Sequence, residues 1–319
     1  MTAPATARPT RRFIRSQTGY ARRQLVNRVM LTLTGVLTAL ALVPLFWIIG
    51  NVIYRGGPSL NLAFFTQLPR PLGMTGGGVL HAIEGTILLT LLAGLFAIPP
   101  GVLAAFYVAQ HPNSPLGIAV RFGTDVLAGV PSIVVGLFGY ALVVKNQGHY
   151  SALAGGFALA ILMLPTIVRT TEEMLKLVPH TLREGSLALG APEWKTSLSV
   201  TLQAAGNGII TGFLLGLARA SGETAPLLFT ALGNERFEVV QQVQGGLRAG
   251  LSLPSALLKL VEQPVDSLPL TMWKYAQQPF AERIDQSWAV ALVLMLFVLL
   301  INIFVRVWSQ ARTNRMQGG

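Results

Sequence analysis

Apolar runs alternate with polar segments along the whole chain, and the length of these runs indicates the class of protein. A helix needs about 20 mostly apolar residues to cross a bilayer. Five runs meet this length, at 30–54, 86–109, 123–144, 206–228 and 287–308, and a sixth at 152–168 is shorter but carries no charge. Six such runs are implausible in a soluble core, so the pattern predicts an all-α membrane protein with six transmembrane helices.

The composition supports this prediction and narrows the chemistry. Of 319 residues, 52% are hydrophobic and 12% are charged, whereas soluble domains carry about 25% charged residues. The chain has no cysteine, which excludes disulfide scaffolds and thiolate metal sites. Its four histidines are scattered without ligand spacing, and no nucleophile–base pattern is present. We therefore expect no metal, no cofactor and no enzymatic activity.

Much of the net charge of +11 comes from arginines near the two ends of the chain, outside the long apolar runs. Seven arginines and no acidic residue lie within residues 1–28, and three further arginines close the chain after residue 305. Basic segments that flank apolar spans are typical of cytoplasmic anchors. Nucleic-acid binding is the weaker interpretation, because no aromatic residues are interleaved with the charge. We expect a multi-pass protein of the inner (plasma) membrane with both termini cytoplasmic, and a first helix that is retained rather than cleaved.

The polar loop after the fourth run carries helix start and stop signals. T-x-x-E spacing occurs at 170–173 and at 181–184, with Pro179 between them. This spacing predicts a capping box and a new helix that begins near Leu182. Gly190 stands where a left-handed helix end is expected, two residues before a proline. The loop is thus either an ordinary connector or a rigid knob that docks into a cytoplasmic partner.

The fifth run contains the charged pair Arg219 and Glu223 beside a stripe of small residues. The stripe repeats every four residues and lets another helix approach closely; it consists of Gly208, Gly212, Gly216, Ala220 and Thr224. Arg219 and Glu223 are spaced i,i+4 and so lie on one helix face. An arginine at the membrane centre costs about 2.5–3.5 kcal/mol, so the two residues form a structural ion pair or line the route of an anion. Thr224 could add a hydroxyl donor to that route.

The loop resembles the coupling loop of ATP-binding-cassette permeases, whose pattern is E-A-A-x₃-G-x₉-I-x-L-P. Glu184, Gly185 and Ser186 take the first three places, Leu187 follows them, and Gly190 takes the glycine place. The resemblance implies a coupling helix that is seated on a separate ATPase subunit. A lookalike of a phosphate-binding loop, GAPEWKT, lacks the second glycine, so ATP hydrolysis is expected on the partner.

Three further segments resemble the phosphate permease family PstA: AGVPSIVVGLFGYA at 128–141, ARASGETAPLLFTALG at 218–233 and PVDSLPLTMWKYAQQPF at 264–280. The resemblance implies a type I ABC importer permease fold with a cytoplasmic coupling helix, and a phosphate pathway that includes Arg219, Glu223, Thr224 and Arg169. It also implies a second, PstC-like permease, two PstB-like ATPases and a PstS-like periplasmic receptor. The expected divisions are a basic tail (1–28), a first helix with its external loop (29–81), the permease domain (82–309) and a C-terminal tail (310–319).

Three alternatives remain open from the sequence. The chain could be an ABC permease for another oxyanion or small solute, a stand-alone secondary transporter or channel, or a membrane scaffold or sensor. Arg169 could also be an interfacial anchor that reaches lipid phosphates. The sequence leaves open whether residues 230–286 fold onto the receptor or merely connect helices.

Overall fold

The computed structural model describes residues 17–72, 74 and 76–317, and in these residues the chain is helical apart from turns and two isolated β-bridges. The chain divides into two compact units, Met1–Asn51 and Val52–Gly319. The first unit contains most of α1 (Gln17–Gly56), which confirms the first predicted crossing. Residues 17–28 of the predicted tail are already helical, whereas residues 1–16 lie outside the described part of the chain.

In the second unit a short region precedes the helical bundle. It contains a 3₁₀ turn (Gly57–Ser59) and α2 (Leu62–Thr66). The bundle then contains α3 (Leu80–Gln110), α7 (Ala152–Lys176) and α15 (Ala281–Gln317). Each is long and apolar enough to cross a membrane, and so is α1. The predicted C-terminal tail is helical as far as Gln317.

The third predicted crossing, at 123–144, is not one helix, and this prediction was wrong in detail. The segment forms α4 (Pro115–Gly129), α5 (Ser132–Gly139), a π-helical stretch (Tyr140–Val144) and α6 (Lys145–Gln147). The axis bends by 106° between Gly129 and Ser132. Val130 precedes Pro131 and adopts an extended conformation, as the clash with a following proline ring favours. The two parts count as a sixth crossing only if they are taken together.

The fifth predicted crossing, at 206–228, is confirmed with earlier bounds, because Glu193–Ala220 is long and apolar enough to cross a membrane. It begins earlier, with α9 (Glu193–Thr196) and a π-helical stretch (Ser197–Thr201), and continues as α10 (Leu202–Ala220). A turn follows, in which the Gly222 amide donates to the Arg219 carbonyl at 3.1 Å. The chain then re-enters a short helix, α11 (Ala225–Thr230), with a proline in its first turn. Thr224 therefore lies outside α10.

Helix α7 forms the centre of the bundle. Leu159, Met163 and Ile167 on α7 pack with Leu89 and Ala93 of α3 in the main apolar core. The predicted small-residue stripe on α10 lies against α7: an added Cβ at Gly208 would overlap Met174, and one at Gly212 would overlap Thr170. Gly216 continues this contact toward Met163. The stripe is confirmed from Gly208 to Gly216, and Ala220 is buried in the same apolar core as Met163. The close approach explains the composition of the stripe.

The segment 230–286 folds onto the bundle. It contains α12 (Val239–Arg248), α13 (Leu253–Val261) and α14 (Leu268–Ala276), and Gly250 between α12 and α13 has φ +83°. The Ala152 amide at the start of α7 donates to the Gln263 carbonyl at 2.8 Å, and the Val239 amide donates to Glu84 at 2.8 Å.

Helix α14 is held at the start of α3 by buried polar groups. The carboxylate of Asp266, which is fully buried, accepts a hydrogen bond from Lys274 Nζ at 3.0 Å and another from the Ser267 amide at 3.0 Å. The Leu268 amide donates to the Thr86 hydroxyl at 2.8 Å. Tyr275 is buried beneath the Arg283 guanidinium, and burial raises the pKa of its phenol.

Candidate functional site

Helix α8 (His180–Ala188) follows α7 and has no buried residue. It begins at His180 after Pro179, two residues before the predicted start at Leu182. The predicted capping box at 170–173 is wrong, because these residues lie inside α7. The T-x-x-E spacing at 181–184 provides no cap either, since α8 has no side-chain cap at its N-terminus. Proline at 179 determines the start, because it tolerates a helix only on its C-terminal side.

The predicted end of α8 is confirmed. Gly190 has φ +84°, and its amide donates to the Leu187 carbonyl at 2.9 Å. The Ala191 amide donates to the Ser186 carbonyl at 3.2 Å. These two bonds form a Schellman motif, which satisfies carbonyls that a helix end otherwise leaves free.

Helix α8 presents apolar side chains to its surroundings. Leu182 is 50% exposed and Leu189 is 90% exposed, and Leu187 lies between them. Glu184 and Gly185 are exposed on the same short helix. The Ser186 hydroxyl lies 2.8 Å from the Thr196 hydroxyl, so α8 is tied to α9. A short, capped and apolar helix of this kind has the geometry of a docking element. We call the end of the bundle that carries it the α8 end.

An ionic cluster joins α4 to α7 at the α8 end. Glu172, which is nearly buried, accepts hydrogen bonds from Arg121 at 2.9 and 2.6 Å and pairs with Lys176 at 2.5 Å. Arg169, a predicted pathway residue, forms an ion pair with Asp125. These groups line a cavity of about 280 Å³. The guanidinium of Arg169 is therefore neutralised in this structure, as is that of Arg121.

Sequence reasoning missed Arg121, Asp125 and Glu172. The spacing of Glu172 and Lys176 is i,i+4, which was a local signal for one of these pairs. The partners on α4 lie about 50 residues earlier in the chain, and no local pattern connects them to α7.

Arg219 and Glu223 do not form an ion pair, which was one of the two interpretations that the sequence left open. Helix α10 ends at Ala220, and Glu223 lies in the following turn, where its amide donates to the Ala220 carbonyl at 3.2 Å. The i,i+4 argument assumed a continuous helix and was wrong for that reason. Arg219 is exposed, and within the described part of the chain its side chain has no ion pair within 4.0 Å. Glu223 and Thr224 are partly buried in the turn beside it.

The depth of Arg219 follows from the antiparallel packing of α10 on α7. Gly208 faces Met174 and Gly212 faces Thr170. Moving four residues forward along α10 therefore corresponds to moving four residues backward along α7. Arg219 follows Gly212 by seven residues and so lies level with Met163. With a rise of about 1.5 Å per residue, Met163 is about 17–20 Å from either end of α7. Arg219 therefore lies near mid-depth of the bundle.

The second part of the bent third crossing contacts α11, the short helix that follows the fifth crossing. Gly136 on α5 approaches Pro226 on α11, where an added Cβ would lie 2.6 Å from the proline Cα. Gly139 on α5 faces Thr230 of α11 and Ala158 of α7. Non-helical backbone at membrane depth is stable only where protein buries it or water reaches it. The turn between α10 and α11 therefore places non-helical backbone groups next to Arg219.

Comparison with known proteins places this architecture among transporters. Residues 97–316 match the family model described as binding-protein-dependent transport system inner membrane component. The phosphate transport system permease protein PstA of Yersinia pestis is 41% identical over 88% of this chain and 89% of its own length. The protein of the same name from Mycobacterium leprae is 35% identical over 93% of each chain.

Solved structures agree on the fold. A subunit of a bacterial alginate ABC transporter, in complex with an alginate-bound periplasmic protein, superposes with a TM-score of 0.56 at 15% identity. That match covers 92% of this chain and 96% of the other. A chain of the MetNI methionine ABC transporter in an inward-facing conformation gives a TM-score of 0.54 at 18% identity, over 73% of this chain and 95% of the other. These likenesses confirm the permease fold expected from the sequence.

Proposed function

Because this chain belongs to the family of binding-protein-dependent transport system inner membrane components, we propose that it is the membrane-spanning permease subunit of an ATP-driven importer of inorganic phosphate. The observation that carries this proposal is the 41% identity with a phosphate permease over 88% of the chain. The relatives of known function are transport subunits rather than enzymes, and this chain has the same role.

The proposed assembly contains this chain, a second, PstC-like permease, two PstB-like ATPases and a PstS-like periplasmic receptor. ATP hydrolysis takes place on the ATPase subunits. The exposed leucines of α8 and its rigid Schellman cap support this arrangement, because an apolar helix surface outside the bundle is costly unless a partner covers it. Glu184, Gly185, Ser186, Leu187 and Gly190 form or support the docking surface.

The proposed orientation places the α8 end and both termini in the cytoplasm, with α12 to α14 outside. The concentration of arginine near the N-terminus supports this topology. In this arrangement residues 82–309 form the permease domain, and 29–81 supply the first crossing and its external loop. Residues 1–28 and 310–319 are the flanking segments.

The proposed phosphate pathway passes Arg219. An exposed guanidinium at mid-depth, without an ion pair among the residues that the structure describes, would be costly if it faced lipid. Facing a water-filled interface with the second permease removes that cost, and the planar guanidinium matches the oxygens of phosphate. Glu223 and Thr224, in the turn beside it, add a modulating charge and a hydroxyl. Arg169 acts at the cytoplasmic exit, where phosphate competes with Asp125 for the same guanidinium.

The proposed mechanism couples these two regions. ATP binding closes the ATPase dimer and displaces α8, which rocks the crossings toward an outward-open state. Phosphate released by the receptor then enters beside Arg219, and hydrolysis restores the inward-facing state. Nucleotide can shift this equilibrium only if the two states differ by a few kcal/mol in the absence of ligand.

Reconstitution tests the proposal directly. The chain is purified with its partner subunits, inserted into liposomes that contain ATP, and supplied with the receptor and radiolabelled phosphate outside. We expect uptake that requires both ATP and receptor. Liposomes that contain this chain alone are the control and should show no uptake. Phosphate movement at the same rate without the ATPases would overturn the assignment and favour a stand-alone transporter.

A further inference from the structure

A second cavity at the α8 end has a composition that the transport pathway does not explain. Its volume is about 130 Å³, and it lies where α3 and α7 end and α8 begins. The polar side chains that line it are Gln110, Lys176, His180, Arg183 and Thr201. It is well below the roughly 300–1,000 Å³ of pockets that enclose drug-sized ligands, so it is suited to a small ligand.

The charge of this cavity is positive and incompletely balanced. Lys176, His180 and Arg183 line it, and none of its lining residues is acidic. Lys176 is paired with Glu172. Arg183 is half-buried, and among the residues that the structure describes its side chain has no hydrogen bond or ion pair. In the larger cavity between α4 and α7, by contrast, both guanidinium groups face a carboxylate.

Two further donors in the cavity lack partners. The Thr201 hydroxyl is buried and makes no hydrogen bond, a situation that costs free energy unless a ligand or water relieves it. Helix α8 begins in the cavity at His180, without a side-chain cap and without an acidic residue in its first turn. The free amides and the helix dipole at such an end favour a negative charge.

We propose that this cavity binds a phosphate-type oxyanion, either free inorganic phosphate or the phosphate of an anionic lipid headgroup. Arg183 supplies the fork of donors that matches two oxyanion oxygens, and the Thr201 hydroxyl and the amides of His180 and Thr181 at the start of α8 bind the others. Lys176 adds a second positive charge. The bound anion ties the start of α8 to the ends of α3 and α7. The assignment of this end to the cytoplasm, and thus of cytoplasmic phosphate as one source, rests on the proposed function.

The absence of cysteine allows a site-specific probe. Leu177→Cys, at a position that is 72% exposed beside the cavity, is labelled with an environment-sensitive dye before this chain is assembled with its partner subunits, so that their cysteines do not react. The labelled importer is then placed in nanodiscs of zwitterionic lipid without nucleotide. We expect a saturable change in fluorescence as inorganic phosphate is added. Arg183→Gln should raise the half-saturating concentration by about tenfold or more, because a charge-assisted hydrogen-bond pair is lost. Arg183→Lys keeps the charge but loses the forked pair of donors, so its half-saturating phosphate concentration should lie between those of the unmodified protein and Arg183→Gln.

Matched variants and lipids separate the outcomes. Lys195→Gln removes an exposed positive charge at the same end of the bundle but outside the cavity, and it should leave the titration unchanged. If the dye responds to nanodiscs with anionic phosphatidylglycerol and not to free phosphate, the headgroup is the source. No response to either, or an unchanged titration in Arg183→Gln, overturns the proposal. So does loss of the response in Arg219→Gln, which would place the anion in the pathway. The titration needs no uptake, so failure of transport leaves its result standing.

Discussion

Replacement of Gly190 by valine tests the docking role of α8 with a perturbation that is confined to the backbone. Gly190 has φ +84°, and an added Cβ would meet nothing within 4 Å. The cost therefore arises from the left-handed conformation, which is about 1–2 kcal/mol for an ordinary residue and is highest for a β-branched one. A cost of about 2 kcal/mol lowers the equilibrium constant between the capped and the uncapped turn by about 30-fold. Helix α8 has nine residues, and helices this short depend on their caps for stability.

The assay combines amide hydrogen exchange with transport. In the purified complex, Gly190→Val should accelerate exchange of the Ala191 amide, which donates to the Ser186 carbonyl at 3.2 Å, and should reduce receptor- and ATP-dependent uptake severalfold. Gly185→Ala is the matched control, because Gly185 lies within the same helix, is equally open, and stands where the coupling-loop pattern has alanine, so the docking surface is kept. It should stabilise α8 by about 0.5–1 kcal/mol and preserve uptake. Full uptake in a Gly190→Val protein whose exchange is accelerated would refute the reasoning.

Three further predictions concern the interior of the bundle. Arg219→Gln should lower phosphate uptake at least about tenfold with no change in the amount of assembled complex on size-exclusion chromatography; loss of assembly would instead indicate a structural role. Gly212→Leu should lower the melting temperature of the complex, because its side chain overlaps α7, whereas Gly206→Leu, with nothing within 4 Å, should leave it within error. Glu172→Gln should destabilise the protein by about 1–3 kcal/mol, because it leaves two cations without their nearly buried partner. Asp125→Asn, whose pair is exposed, should cost less than about 1 kcal/mol; equal effects on thermal unfolding would contradict this order.

The features that were predictable from the sequence are local ones. The long apolar runs predicted five crossings, the fifth of them with shifted bounds, because the hydropathy of a run depends on its own residues and not on its neighbours in the fold. Gly190 was identified as a helix end because the left-handed conformation depends on the glycine itself. The small residues from Gly208 to Gly216 predicted a close helix contact, although the pattern did not identify α7 as the partner.

The features that were not predictable depend on tertiary contacts. Hydropathy alone predicted a single helix at 123–144, although Pro131 marks the position of the bend. Gly222 and Pro226 follow the end of α10 at Ala220, but they lie inside an apolar run that hydropathy treats as one helix, so Arg219 and Glu223 were placed on one continuous face. Arg121 meets Glu172 only because α4 folds against α7. The burial of Asp266 likewise follows from the folding of the segment 230–286.

The turn at Gly250 offers a place to attach a structural marker. It joins α12 to α13, it is exposed, and an added Cβ there would touch nothing within 4 Å. A short epitope inserted at this turn would extend into solvent without displacing either helix. An antibody fragment bound to it on intact cells would show directly which side of the membrane this end of the protein faces. The same fragment would add mass for alignment of particle images in electron cryomicroscopy.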